Sequence, residues 1–316
     1  MFAGLSQRRT KSGIGVATLI ISSTTVVSHS FARSSYGLLI PAIEDSLDLT
    51  HAQAGFGGTI IYAAFLVGTL LVASISGRTE PMNLMRAGLL IATVGFGINA
   101  VAPSYPVLLL GLALGGGAGA GIWIPAPTVA TAGVDPERRS FVIGLLTATI
   151  GVGILTVGVG TNVIRAVLDD EGLWRPVWAL QAAIAFMLFL LMVTVVRQER
   201  TPPVDSGGVN LSLLRTLPSW WQITLAYSLY AIAGGGFFAF VVAAVEQDGG
   251  LSRGGATAVF AVMGLAGAVA APITGRLSDA FGRRPVMLGS VAAVAVAALA
   301  VAFGGQAAVV VGAVLF

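Results

Sequence analysis

Nine stretches of about twenty apolar residues alternate along this chain with short polar breaks, and a tenth opens just before the last residue. A helix rises about 1.5 Å per residue, so each stretch matches a hydrocarbon layer about 30 Å thick. The first runs from Ile14 to Ile43. The next five cover Gln53–Ile75, Leu84–Val101, Val107–Ala130, Phe141–Val163 and Val177–Val196. Arg197 to Ser219 is the longest polar run and contains Pro202-Pro203 and Ser206-Gly207-Gly208, the composition of a linker. Trp220–Val245, Ala256–Ile273 and Val286–Phe303 follow, and a tenth stretch begins at Ala307 and stops at Phe316. Ten residues do not cross a bilayer, so the pattern predicts a chain that ends inside a helix. The expected organisation is a six-helix bundle over 1–196, a cytoplasmic linker over 197–219 and an incomplete second bundle over 220–316.

The runs are continuous, not ten-residue alternating segments, which excludes an outer-membrane barrel and predicts an all-α polytopic membrane protein. Composition agrees: 56% of residues are hydrophobic and only 10% charged, too few charges to cover a water-facing surface. The N-terminus, with Arg8, Arg9 and Lys11 before an apolar run, resembles a signal sequence. The run is too long for a cleaved signal and reads as an uncleaved first span. With the N-terminus in the cytoplasm, thirteen Lys and Arg fall inside, three (Arg165, Arg175, Arg253) fall outside, and Arg33 lies within a span. That asymmetry orients a multi-pass protein of the cytoplasmic membrane and supports the span count independently. It also accounts for the net charge of +3 without nucleic acid. The absence of cysteine excludes disulfides and thiol chemistry, and two histidines leave no metal cluster. No cofactor is expected. The partners implied are membrane lipids, a small-molecule solute and, where transport is coupled, a proton or other ion, with the chain acting as a monomer.

Arg33 is the residue that needs explaining. It sits some twenty residues into the first span, where a guanidinium costs at least ~2.5–3.5 kcal/mol, so it should face protein or a watery cavity, not lipid. His29, Arg33, Tyr36 and Gly37 share one helical face. Arg33 reads either as counter-charge for an anionic solute, such as a carboxylate, or as an assembly arginine bonded to backbone carbonyls. Intramembrane charge favours the first. His29 reads as a proton relay or, more commonly, a packing histidine. The fourteen acidic residues fall in loops or at helix ends, with Glu246 nearest to burial.

The second half echoes the first. Leu49-Thr50 matches Leu251-Ser252, and Gly77-Arg78 matches Gly275-Arg276, at offsets of 202 and 198 residues. Parallel repeats of this size are one plan of secondary transporters, with the solute between the halves near the midplane. On that alignment Tyr227 and Tyr230 of the seventh span face Arg33 across a cavity, and Trp123, beside Pro125, walls it at a kink. The glycines of the fourth span suit close helix packing.

Gly275-Arg276-Leu277-Ser278-Asp279-Ala280-Phe281-Gly282-Arg283-Arg284 resembles the cytoplasmic loop motif G-x-L-[SA]-D-x-x-G-R-[RK] of the major facilitator superfamily, at the place of its second copy. The first copy has decayed to Gly77-Arg78-Thr79-Glu80-Pro81. Phe31 to Ala42 also resembles the first helix of the superfamily's YbfB/YjiJ-type group. The resemblance implies the major-facilitator fold, two six-helix bundles in pseudo-two-fold repeat, here with nine full spans and the start of a tenth. It implies transport by alternating access. Gly275, Asp279, Gly282, Arg283 and Arg284 of the motif read as gating residues, with Asp279 bonding helix N-terminal amides or pairing with Arg138 or Arg139 across the halves, or else as surface charge that only sets topology. Gly111 stands where many members carry an arginine, and no proline follows Gly144 and Gly153 in the fifth span. Both departures weigh against proton-driven drug efflux. Beside a permease for a small organic solute stand a multidrug exporter and a shortened chain that does not transport. An intramembrane enzyme lacks a nucleophile here.

Overall fold

The computed structural model describes residues 15–170, 172–196, 218–303 and 305–315, with the backbone alone for Pro136, Glu137, Arg138, Ser140, Asp279 and Arg283. The leading span is one continuous helical path in three parts: α1 (Val16–Thr25), a π-helical segment (Val26–Ser34) and α2 (Ser35–Leu47). After it come α3 (His51–Ile75), α4 (Pro81–Ala100), α5 (Tyr105–Trp123), the short α6 (Ala126–Thr131), α7 (Pro136–Leu168) and α8 (Arg175–Thr194). The later part holds α9 (Trp220–Gln247), α10 (Arg253–Phe281), α11 (Arg283–Phe303) and α12 (Gln306–Leu315). Among the described residues, eight spans are long and apolar enough to cross a membrane as regular helices, α5 and α6 together forming one of them. The composite leading helix makes nine, and α12 is the short tenth. Residues 197–217, most of the expected linker, lie outside the described residues.

Polar side chains explain the π segment. An i→i+5 turn bonds the Ser35 amide to the Ser30 carbonyl, and Ser35 Oγ donates to the same oxygen at 3.0 Å. Ser30 Oγ donates to the Ile150 carbonyl of α7 at 2.8 Å, and Thr25 Oγ1 lies 2.6 Å from Thr149 Oγ1. Gln181 of α8 donates from Nε2 to Ser35 Oγ at 2.8 Å. Hydroxyls that would compete with an ordinary helix are thereby used to fix an unusual one.

Packing in the first half depends on close backbone approach. A Cβ added at Gly68 would stand 2.6 Å from the Gly117 carbonyl oxygen, and one at Gly95 would stand 2.9 Å from that of Gly111. The fourth span's glycines thus let α5 lie against α3 and α4. Aromatic rings fill the centre, with Phe31 on Phe96 at 6.3 Å and Phe96 on Trp178 at 5.5 Å. α5 ends where Pro125 brings no N–H, and the chain resumes as α6, which is the kink expected beside Trp123.

The repeat alignment places equivalent N-caps. Thr50 Oγ1 accepts from the Gln53 amide at 3.3 Å to start α3, and Ser252 Oγ accepts from the Gly255 amide at 3.2 Å to start α10. Gly282, at φ +87° and ψ 156°, takes a positive-φ conformation that glycine adopts without strain, ending α10 and letting α11 begin.

The two halves meet along α7 and α10, where Gly151, Gly158, Ala261, Gly264 and Ala268 interlock. Polar contacts between the halves gather at the end carrying the 44–50 and 248–252 loops. Arg253 bridges Asp45 of the first half at 2.8 Å and Glu246 of its own half at 3.3 Å. Asn162 Nδ2 donates to the Gly254 carbonyl at 3.2 Å, and Arg165 Nη1 donates to Thr257 Oγ1 at 3.1 Å. At the opposite end residues 221–233 of α9 are exposed on every side. The halves are joined by polar contacts at the first of these ends.

Candidate functional site

The π segment carries His29 and Arg33 near the middle of the leading span. Arg33 is half-buried, and its guanidinium carbon lies 3.8 Å from the ring centre of Phe65 and 5.8 Å from that of Tyr62, both on α3. A cation over an aromatic face gains ~0.5–2 kcal/mol according to its desolvation, which offsets part of the burial. The rest is not offset by the protein. Nε and Nη2 are shut from solvent and have no hydrogen-bond partner, and no carboxylate pairs with the group among the described residues. An assembly arginine would spend these donors on carbonyls, as Arg86 does on Met192 and Arg175 does on Ala102.

His29 stands edge-on to Trp123, ring centres 4.3 Å apart, with Nδ1 2.9 Å from Ser28 Oγ. The two sequence candidates on the first and fourth spans are thus in contact. Tyr36 also faces α3, but its ring is sealed against Gly57 and its hydroxyl donates to the Ala54 carbonyl at 2.8 Å. It holds α2 to α3 and presents no group to a solute. Tyr227 and Tyr230, 6.5 Å apart, are 73% and 59% exposed. Among the described residues no hydrogen bond or ring contact ties either tyrosine to Arg33. Two hollows elsewhere, of about 20 Å³ beside Phe31 and Gln181 and about 380 Å³ beside Val163 and Pro176, include neither His29 nor Arg33.

Of the expected gating residues, Gly282 has the backbone role given above, and Gly275 lies inside α10 with open space around it. Arg284 is exposed, and Arg139 Nε donates to the Val134 carbonyl at 3.4 Å. The side chains of Asp279, Arg283 and Arg138 lie outside the described residues. Glu246, at the last turn of α9, is committed to Arg253 through Oε1.

Sequence reasoning missed Tyr62, Phe65 and Arg253. The first two sit at i, i+3 on α3, a spacing visible in the chain, but nothing local tells which helix meets Arg33. Arg253 was counted only as a loop charge.

Comparison with known proteins agrees with this architecture. A profile of the Major Facilitator Superfamily matches residues 23–316. A probable nitrate/nitrite transporter, NarK2, of Mycobacterium tuberculosis is 28% identical over 303 residues, covering 90% of this chain and 72% of that protein. A probable 4-methylmuconolactone transporter of Cupriavidus pinatubonensis is 25% identical over 271 residues, covering 82% of this chain and 62% of that one. The chain therefore spans about two thirds of the length of these relatives. Among solved structures, a bacterial homologue of the human lysosomal transporter Spinster, inward-facing and unoccupied, superposes with a TM-score of 0.71 at 17% identity over 99% of this chain and 72% of that one. A D-xylose–proton symporter superposes at 0.69 and 13% identity over 94% of this chain and 77% of that one. The chain is a multi-pass membrane protein and belongs to the major facilitator superfamily.

Proposed function

We propose that this chain carries the solute pathway of a cytoplasmic-membrane transporter moving a small organic anion, such as a carboxylate, by alternating access. One observation carries the substrate class: the Arg33 guanidinium is held in mid-span with two donors unpaired. Leaving a buried donor unmade costs ~1–3 kcal/mol, more for a charged group, so an oxyanion that took both would be bound by relief of that cost. The name of one relative supports the reading, since nitrate and nitrite are anions. Among the described residues, the carboxylate at the end of α9, Glu246, is already held by Arg253 through Oε1, although its Oε2 has no partner. The test is uptake of a panel of labelled organic acids by proteoliposomes holding the chain. Saturable uptake of an acid is expected. Resistance of expressing cells to several unrelated cations, with no acid taken up, would support an exporter instead.

In this reading the N-terminus is cytoplasmic, as the thirteen-to-three charge count favours, and the joined end faces outward. Arg253, between Asp45 and Glu246, acts as a clasp on that end. Asp45 is 68% exposed, and an exposed pair contributes only ~0–1 kcal/mol. Asp45→Asn should therefore open the outer end by no more than about fivefold in population. Because the chain has no cysteine, spin labels at introduced cysteines on the 44–50 and 248–252 loops can read this directly. An unchanged distance distribution would leave the contact as surface decoration.

A further inference from the structure

The smaller hollow, of about 20 Å³, lies where the π segment, α7 and α8 meet, with Phe31, Thr161 and Gln181 in its wall. Two polar atoms on that wall are buried without a partner, the Thr161 hydroxyl and the Gln181 amide oxygen. Their residues are 0% and 2% exposed, so bulk water reaches neither. Thr161 departs from its neighbours. Thr147 and Thr156 on the same helix each donate to the carbonyl four residues back, the usual resource of a hydroxyl in an apolar helix. Thr161 Oγ1 makes no such bond. Gln181 is half satisfied: Nε2 donates to Ser35 Oγ at 2.8 Å, and Ser35 Oγ donates to the Ser30 carbonyl, which leaves Oε1 over.

An unmade hydrogen bond on a buried polar atom is costly, and here two such atoms on different helices border one small space. About 10–15 Å³ is enough for one water, so this space fits a water and is far too small for an organic solute. We infer that the hollow is a binding site for a single water, which accepts from the Thr161 hydroxyl and donates to Gln181 Oε1. The water closes a polar path that begins and ends on α7. It runs from Thr161 through the water to Gln181 of α8, then to Ser35 and Ser30, and returns to α7 at the Ile150 carbonyl. By fixing which way the Gln181 amide faces, the water secures the bond to Ser35, whose own amide closes the π turn on Ser30. Thr161 and Gln181 are thus positioning residues for the π segment. This holds whatever solute the chain carries.

Thr161→Val keeps the shape of the side chain and removes its hydroxyl, so the sign of its effect on the melting temperature of the purified chain decides the matter. With the water in place, the variant strips it of one of two partners and should melt about 3 °C lower. If the hydroxyl has no partner, valine replaces an unmet polar group with a methyl. A melting temperature that stays level or rises therefore overturns the site. Amides 30–35 should also exchange hydrogen faster in the variant, while those of α11 keep the parent's rate. Exchange of 30–35 at the parent's rate overturns the bracing of the π segment. A crystal map of the parent that resolves ordered waters needs no variant: a peak within hydrogen-bond distance of both atoms is expected. Such a map with waters elsewhere in the spans and none between Thr161 and Gln181 overturns the inference.

Discussion

Arg33→Ala should lower organic-acid uptake by at least about thirtyfold while leaving the protein folded. Each hydrogen bond to a charged group is worth ~1.5–3 kcal/mol, and the guanidinium offers two. Even one such bond, with the long-range attraction that brings the anion in, exceeds the roughly 2 kcal/mol that a thirtyfold change represents. Stability should move the other way or not at all. The residue makes no hydrogen bond to lose, and removing it frees the fold from two unmet donors; only its packing on Phe65 and Tyr62 is forfeited. An assembly arginine would behave oppositely, losing stability and uptake together. Uptake rates normalised to folded protein by size exclusion, together with the melting temperature, separate the two.

Gly264→Leu should cost more in stability than any site variant. A Cβ there meets only backbone: the Gly151 carbonyl oxygen at 2.7 Å, the Ile154 carbonyl carbon at 2.9 Å and the Leu155 amide nitrogen closer still. Backbone does not rotate away as a side chain does, so α7 and α10 must part along the seam that joins the halves. Overpacking typically costs ~1–3 kcal/mol, and a rigid backbone neighbour puts this case at the upper end or beyond. Gly267, one turn along α10, has open space where its Cβ would stand. Gly267→Leu is therefore expected to be tolerated. A scanning-fluorimetry melt that drops for Gly264→Leu and holds for Gly267→Leu supports the seam. Equal behaviour of the two would remove it.

Hydrophobic pattern alone made the spans legible, because hydrocarbon demands long apolar helices and little else satisfies it. Thr50 and Ser252 disclosed the repeat, since a helix start needs a side-chain acceptor and both halves supply one at the same place. Gly282 read in the sequence only as part of the loop motif, and its positive φ became visible only in the fold. Arg33 pointed to the candidate site by being too costly to waste. What stayed hidden depends on which helices touch. The π segment is fixed by bonds from Thr25, Ser30 and Ser35 to α7, α8 and the segment itself, so its serines read only as polar residues in an apolar helix. Tyr36 looked available because helical spacing places it near Arg33, yet the carbonyl of Ala54, outside its own helix, takes its hydroxyl. Phe65 and Tyr62 look like ordinary span aromatics until α3 is laid beside the guanidinium.

The account stands on a charge that recognises a charge, and calorimetry on a matched pair tests that with no need for turnover. Benzoate and its neutral amide, benzamide, have the same ring and nearly the same shape. Titrated into the purified parent chain, benzoate should give saturable heat and benzamide none, and Arg33→Ala should abolish the benzoate signal. Equal binding of the amide, or benzoate heat that survives in Arg33→Ala, would contradict the assignment of this guanidinium as the anion site.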